Sequence, residues 1–178
     1  MPVILVGGSG KSVGKTAVIC GLIAALREFA WTAVKITSHA HGEREPIWEE
    51  TTAGQTTDTA RYLAAGASRA LLVSAQDEML AQVIHTLWSR IERDSPLIFE
   101  SNRMVDCLQP DVCLAVDAGA DGERKPSFER LRLRADATIL RGPDGEMPGL
   151  GKPVFHLAAF DRASPPLQQW LRARLMPH

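Results

Sequence analysis

Short, unbroken apolar runs recur along this chain, each followed by a helical or loop segment. They are VILV (3–6), AVKI (33–36), ALLV (70–73), LIF (97–99), CLAV (113–116), TIL (138–140) and VFHLA (154–158). A strand with one wet face alternates apolar and polar residues, whereas unbroken apolarity marks a strand covered on both faces. The segments between supply the covers. Nearly every residue from Thr16 to Phe29 is apolar, which predicts a largely buried helix. From Asp77 to Arg93, Leu80, Val83, Ile84, Leu87, Trp88 and Ile91 repeat at helical spacing, with Gln82, His85, Ser89 and Glu92 opposite. Ser164-Pro165 reads as an N-cap followed by a first-turn proline, and Leu167, Trp170, Leu171 and Leu175 continue it as one stripe. The stretch SFERLRLRA (127–135) is ambiguous, because Leu131 and Leu133 alternate with Arg130, Arg132 and Arg134; helix is the favoured assignment. Strands alternating with helices predict an α/β fold, a doubly wound and mostly parallel sheet of about seven strands with helices on both faces.

The chain has 178 residues, without repeat, low-complexity tract or linker, so residues 1–178 are expected to form one domain. Its net charge of −1 provides no positive field for nucleic acid or an anionic membrane. No apolar stretch approaches the ~20 residues that span a bilayer, and the N-terminal run lacks the basic flank of a signal peptide. A cytoplasmic protein is the expectation. Cys20, Cys107 and Cys113 are an odd number without zinc spacing, and Cys20 falls in an apolar helical run.

Directly behind the first apolar run stands GGSGKSVGKT (7–16). Gly8, Gly10 and Gly14 allow successive backbone N–H groups to turn inward as an anion-binding nest. The N-terminus of the helix beginning at Thr16 points its free N–H groups and its dipole at the same place. Strand, glycine-rich turn and Gly-Lys-Thr opening a helix resemble the P-loop, in which the lysine reaches the β- and γ-phosphates and the hydroxyl holds Mg²⁺. One position departs from that pattern. Its first glycine falls on Ser9, and Gly8 makes the loop one residue longer.

The longer spacing ending Val-Gly-Lys-Thr resembles dethiobiotin synthetase and the MinD-like branch. The second lysine of that branch falls on Gly10 here, so Lys11 does not inherit its inter-subunit role, although it remains a phosphate candidate. AVKITSHAHG (33–42) and TDTARYLAAGASRALLV (57–73) are similar to the MobB proteins of molybdopterin guanine dinucleotide biosynthesis. Lys35, His39, His41, Asp58, Thr59, Arg61, Gly66 and Ala67 occupy the comparable places. The resemblance covers residues 2–101, and its specific element is the P-loop.

The candidate nucleotide-binding set is Gly8, Gly10, Lys11, Ser12, Val13, Gly14, Lys15, Thr16, Ala17 and Lys35. Lys15, Asp58 and Glu100 are the groups expected to act on the phosphates, and Thr16 and Glu100 those expected to organise Mg²⁺. Glu100 ends LIFE, where a parallel strand delivers an acid to the ligand crevice; relatives carry Glu-Gly there, and this chain has Glu100-Ser101-Asn102. Asp117 ends CLAVD with the same local look, on a strand where relatives usually carry no metal ligand. Asp58 has two roles open to it, capping its own helix or positioning Mg²⁺ or water. Lys35 in an apolar strand requires an anion, for which phosphate is the natural partner. His39 and His41 are two apart and would share a face of an extended segment; loop histidines are more often simply solvated. Residues 38–57 are polar and long, the profile of a lid, with Trp48 as an anchor. Arg141 and Asp144 in LRGPDG (140–145) are weak candidates for a base contact.

The resemblance implies an Mg²⁺-dependent GTP- or ATP-binding accessory in molybdenum-cofactor maturation, with weak hydrolysis. Its partners would be the nucleotide together with a molybdopterin-type small molecule, a partner enzyme or a second copy of the chain. Two alternatives stay open. One is an ATP-dependent ligase like dethiobiotin synthetase, its carboxylate-type substrate held by Lys35 and the 38–57 loop. The other is a nucleotide-switch metallochaperone using His39 and His41.

Overall fold

The computed structural model describes residues 1–39, 45–117, 124–141, 151–157 and 163–176. Among them run β1 (Val3–Gly8), α1 (Lys15–Ala25), β2 (Thr32–Thr37), β3 (Ile47–Glu50), α2 (Asp58–Ala65), β4 (Arg69–Ser74) and α3 (Asp77–Arg90). Then come β5 (Leu97–Glu100), a single 3₁₀ turn (Arg103–Asp106), β6 (Val112–Asp117), α4 (Pro126–Arg134), β7 (Ala137–Arg141), β8 (Val154–Leu157) and α5 (Pro165–Leu175). The strands form one sheet in the order β3-β4-β2-β5-β1-β6-β7-β8, parallel throughout except for the antiparallel β3–β4 pair. The fold class read from the sequence holds, with eight strands rather than seven.

Each face of the sheet carries its own apolar layer. α1, α2 and α5 cover one face through Val18, Ile19, Leu22, Tyr62, Leu167 and Leu171, which pack on Ile4, Val6, Ile98 and Leu114. α3, α4 and the 3₁₀ turn cover the other, where Leu80, Leu87, Met104, Phe128 and Leu131 meet Leu5, Val34, Phe99 and Cys113. Neighbouring strand residues therefore serve opposite layers, which is why the runs are apolar without interruption.

The eighth strand lies inside the segment read as a polar loop. Of β3 only Ile47 is buried, and a four-residue element with one apolar anchor gives no periodic signal. It is held instead by backbone pairing to β4 and by Arg69, which donates Nε and Nη2 to the two carboxylate oxygens of Glu49, both at 2.8 Å. The lid reading therefore narrows: residues 47–50 are sheet, and 40–44 lie outside the described residues.

Helix ends differ from the sequence reading for local reasons. α1 stops at Ala25 rather than Phe29, because the Leu26 carbonyl accepts from the buried Trp31 indole at 2.9 Å and from Phe29 N at 3.1 Å. Ile91 turns extended and ends α3 at Arg90. The ambiguous 127–135 stretch is helical, with Leu131 in the core and Leu133 facing solvent.

Candidate functional site

β1 lies between β5 and β6, and its last residues enter the glycine-rich turn at the C-terminal edge of the sheet, where ligands of open parallel sheets bind. Gly8 still pairs with Val116, and Ser9 N donates to Val116 O at 3.0 Å. Ser9 is thus part of the ladder and buried, so the free loop begins at Gly10. That accounts for the extra residue in the spacing. Gly8 is a forced choice, because a Cβ there would come within 2.7 Å of both Lys15 Cγ and Val13 Cγ2.

The loop is bent by backbone geometry. Ser12 has φ 58° and Gly14 φ 99°, both in the left-handed region. Gly14 is also the N-cap of α1 and supplies no side-chain acceptor, which leaves the first-turn N–H groups for a ligand. Lys11 and Ser12 are exposed, whereas the side chains of Val13 and Ala17 are buried. Any ligand contact by Val13 or Ala17 would be through its backbone N–H.

Lys15 curls back so that Nζ donates to Gly10 O at 2.7 Å, spanning the turn. Burial pulls its pKa below the ordinary lysine value, with Glu100 pulling the other way. Thr16 Oγ1 donates to Glu100 Oε2 at 3.0 Å, joining the start of α1 to the end of β5. Lys35 lies directly beside Glu100 in the β2–β5 register and donates to Glu100 Oε1 at 3.2 Å and to Asp58 Oδ2. Burial disfavours the Lys35 ammonium, but Glu100 and Asp58 together outweigh it and hold its pKa above the ordinary value. Asp58 is likewise opposed by burial and held below the usual carboxylate range by the hydrogen bond from Lys35.

This geometry removes the capping role left open for Asp58. The cap of α2 is Thr57, whose Oγ1 accepts from Ala60 N at 3.1 Å, and Asp58 faces Lys35 instead of capping. Asp117 is buried and ion-paired to Arg124 at 3.0 Å. His39 is exposed, and its main chain is held by Thr37 and Ser74; His41 and Asp144 lie outside the described residues. Among the described residues no group of three or more His, Cys, Asp or Glu gathers as a metal site.

Two residues of the site escaped the sequence reading. Tyr62, the one tyrosine of the chain, is fully buried and donates its phenol to Glu100 Oε2. It stands one helical turn after Asp58, so the i,i+4 spacing was the available signal. Asn102 accepts from Gly8 N at 2.7 Å and donates to Gly8 O at 3.0 Å, clasping the root of the loop. Nothing local to Asn102 marks that role.

The fold and this loop define the chain as having the architecture of the P-loop nucleotide-binding proteins. Solved structures similar to it include a MobB homologue from Bacillus stearothermophilus (TM-score 0.53, 21% identity, all of both chains covered) and MobB of Bacillus subtilis (0.52, 20%, all of both). LpxK from Aquifex aeolicus, solved in complex with ATP, is also similar (0.54, 17%, 88% of this chain and 53% of that one), so the chain spans about half of LpxK. No family profile and no curated protein matches the chain. The MobB resemblance read from the sequence thus extends to the whole fold.

Proposed function

We propose that the chain binds a nucleoside triphosphate with Mg²⁺ at the Gly8–Ala17 turn. The observation behind this reading is the convergence of Lys15, Thr16, Lys35, Asp58 and Glu100 on the open N-terminus of α1. Two lysines rest on the protein's own oxygens, a carbonyl and a carboxylate pair; phosphate would give Lys15 a charged acceptor in place of a neutral one, and Lys35 an alternative anion.

The donor set suits Mg²⁺, which is held by one or two carboxylates together with phosphate oxygens and water. Thr16, Glu100 and Asp58 would hold it, and when bound it would supply positive charge to neutralise the phosphates. The protein's own part is positioning. Loop N–H groups and Lys15 grip the phosphates, Tyr62 and Thr16 fix Glu100 Oε2, and Asp58 stands where it can orient a water. Weak hydrolysis is what the MobB resemblance implies, with Asp58 as the water-orienting group.

The MobB-like fold and the Lys35–Asp58 arrangement support an accessory role in molybdopterin guanine dinucleotide maturation, with GTP or ATP as nucleotide. A ligase-type reaction is favoured by a different observation: Lys35 lies beyond the loop lysine, where it could hold an anionic second substrate. The experiment is isolation from the native host followed by identification of any co-purified nucleotide or pterin. Burst release of nucleoside diphosphate on adding a carboxylate substrate would move the assignment to the ligase. Absence of both, together with no Mg-GTP or Mg-ATP affinity, would refute nucleotide function altogether.

A further inference from the structure

Lys35 bridges two carboxylates from different elements, Asp58 at the start of α2 and Glu100 at the end of β5. Thr16, the hydroxyl suited to a metal, bonds the same Glu100. The side chains are largely buried, Glu100 at 6% exposure and Lys35 at 24%. Two carboxylates this close repel strongly unless a cation lies between them. The ammonium supplies one positive charge where a divalent ion would supply two.

We propose that Lys35 is a tethered cation that holds the metal's place between Asp58 and Glu100, and that a divalent ion arriving with a polyphosphate displaces it. The inference rests on the Mg²⁺-nucleotide reading above and adds an order of events to it. A metal alone must evict Lys35 into a crevice that already contains Lys15, where it finds like charge. A metal with polyphosphate gives the evicted ammonium a new anionic partner. Metal and phosphate therefore bind cooperatively, and because linkage is reciprocal each raises affinity for the other. Lys35 changes partner from carboxylate to phosphate, which makes it a positioning group for metal entry as well as a phosphate contact.

Mn²⁺ binding without nucleotide, followed by the electron paramagnetic resonance signal of the free ion, tests this on the parent, Lys35→Met and Lys35→Gln. Each variant is expected to hold Mn²⁺ about tenfold more tightly than the parent, and adding Asp58→Asn should abolish the gain. Equal or weaker Mn²⁺ affinity in both variants overturns the proposal, since breaking a purely structural ion pair gives the metal nothing. Should both variants unfold without metal, refolding yield is the readout: recovery on adding Mn²⁺ supports the exchange, and no recovery at saturating Mn²⁺ overturns it. Failure of the underlying reading looks different, for then the parent itself binds neither Mg-GTP nor Mg-ATP.

Discussion

The two poles of the sheet use polar residues in opposite ways. At the C-terminal edge, Lys15, Lys35, Asp58 and Glu100 crowd together, held by one another, by the Thr16 and Tyr62 hydroxyls, by Arg61 and by a loop carbonyl. At the other pole a cavity of about 570 Å³ is lined by Asp106, Asp111, Asp136, Arg134, Cys107 and Cys113, among others. It looks chemically richer, but its groups are committed to the fold. Asp111 accepts from Val3 N and Asp136 from Cys113 N, both at 2.7 Å, fixing the first rungs of β1 and β6. Asp106 is paired with Arg130 and Arg134. Burial pushes the Cys113 thiol up to about 12, so it serves as an apolar wall rather than a nucleophile. Size does not identify a site; at this pole Asp111 and Asp136 serve strand N–H groups, whereas at the other the charged groups gather at an uncapped helix start.

The comparison can be broken by substitutions that should separate binding from stability. The largest effect is expected for Lys15→Ala, which removes a charged donor from phosphate: Mg-nucleotide affinity should fall about 100-fold, on the order of 3 kcal/mol, while the melting temperature holds. Undiminished affinity in a titration of this variant would show that the crevice is not a phosphate site. Glu100→Gln comes next. Calorimetry with Mg²⁺ should show about a tenfold loss, and the same titration in EDTA almost none; an equal loss in both would make Glu100 structural.

At the opposite pole the expected pattern inverts. Asp136→Ala should cost about 1 kcal/mol in urea unfolding by leaving Cys113 N without its acceptor, with nucleotide affinity unchanged. A drop in affinity there would mean the two poles are coupled. The smallest effect is expected at the sheet edge, where Glu49→Ala breaks the exposed pair with Arg69 and should change stability by no more than about 0.5 kcal/mol. A larger loss would mean that β3 depends on that pair rather than on its backbone ladder.

Much of the fold was legible because burial on two faces leaves a one-dimensional trace. Seven strands announced themselves as unbroken runs, and α3 by its stripe. β3 left no trace, since its stability comes from hydrogen bonding to β4, and backbone pairing is not written in side-chain type. The shape of the loop was legible because glycine, lysine and threonine each answer a local demand: a left-handed bend at Gly14, a side chain that spans the turn from Lys15, and a hydroxyl at the helix start from Thr16. Asp58 could be placed near the site but not given a role, because that depended on whether Thr57 took the cap. Tyr62 and Asn102 act across 38 and 94 residues of chain, on Glu100 and Gly8 respectively. Neither partnership exists until the sheet is assembled.

The Asn102 clasp has a consequence for how the protein is made. Its side-chain amide bonds both polar groups of Gly8 as a strand residue would, adding a rung after Glu100 where β5 itself has ended. The glycine-rich turn is therefore anchored by a segment synthesised long after it, and Ser9 by β6 later still. Contacts of such wide separation close late, after the loop entropy of the intervening chain has been overcome. An emerging chain carries the complete GGSGKSVGKT stretch early, whereas the partners of its root, Asn102 and Val116, follow about a hundred residues later. Until those residues are made, Gly8 and Ser9 lack the partners that hold the root of the turn.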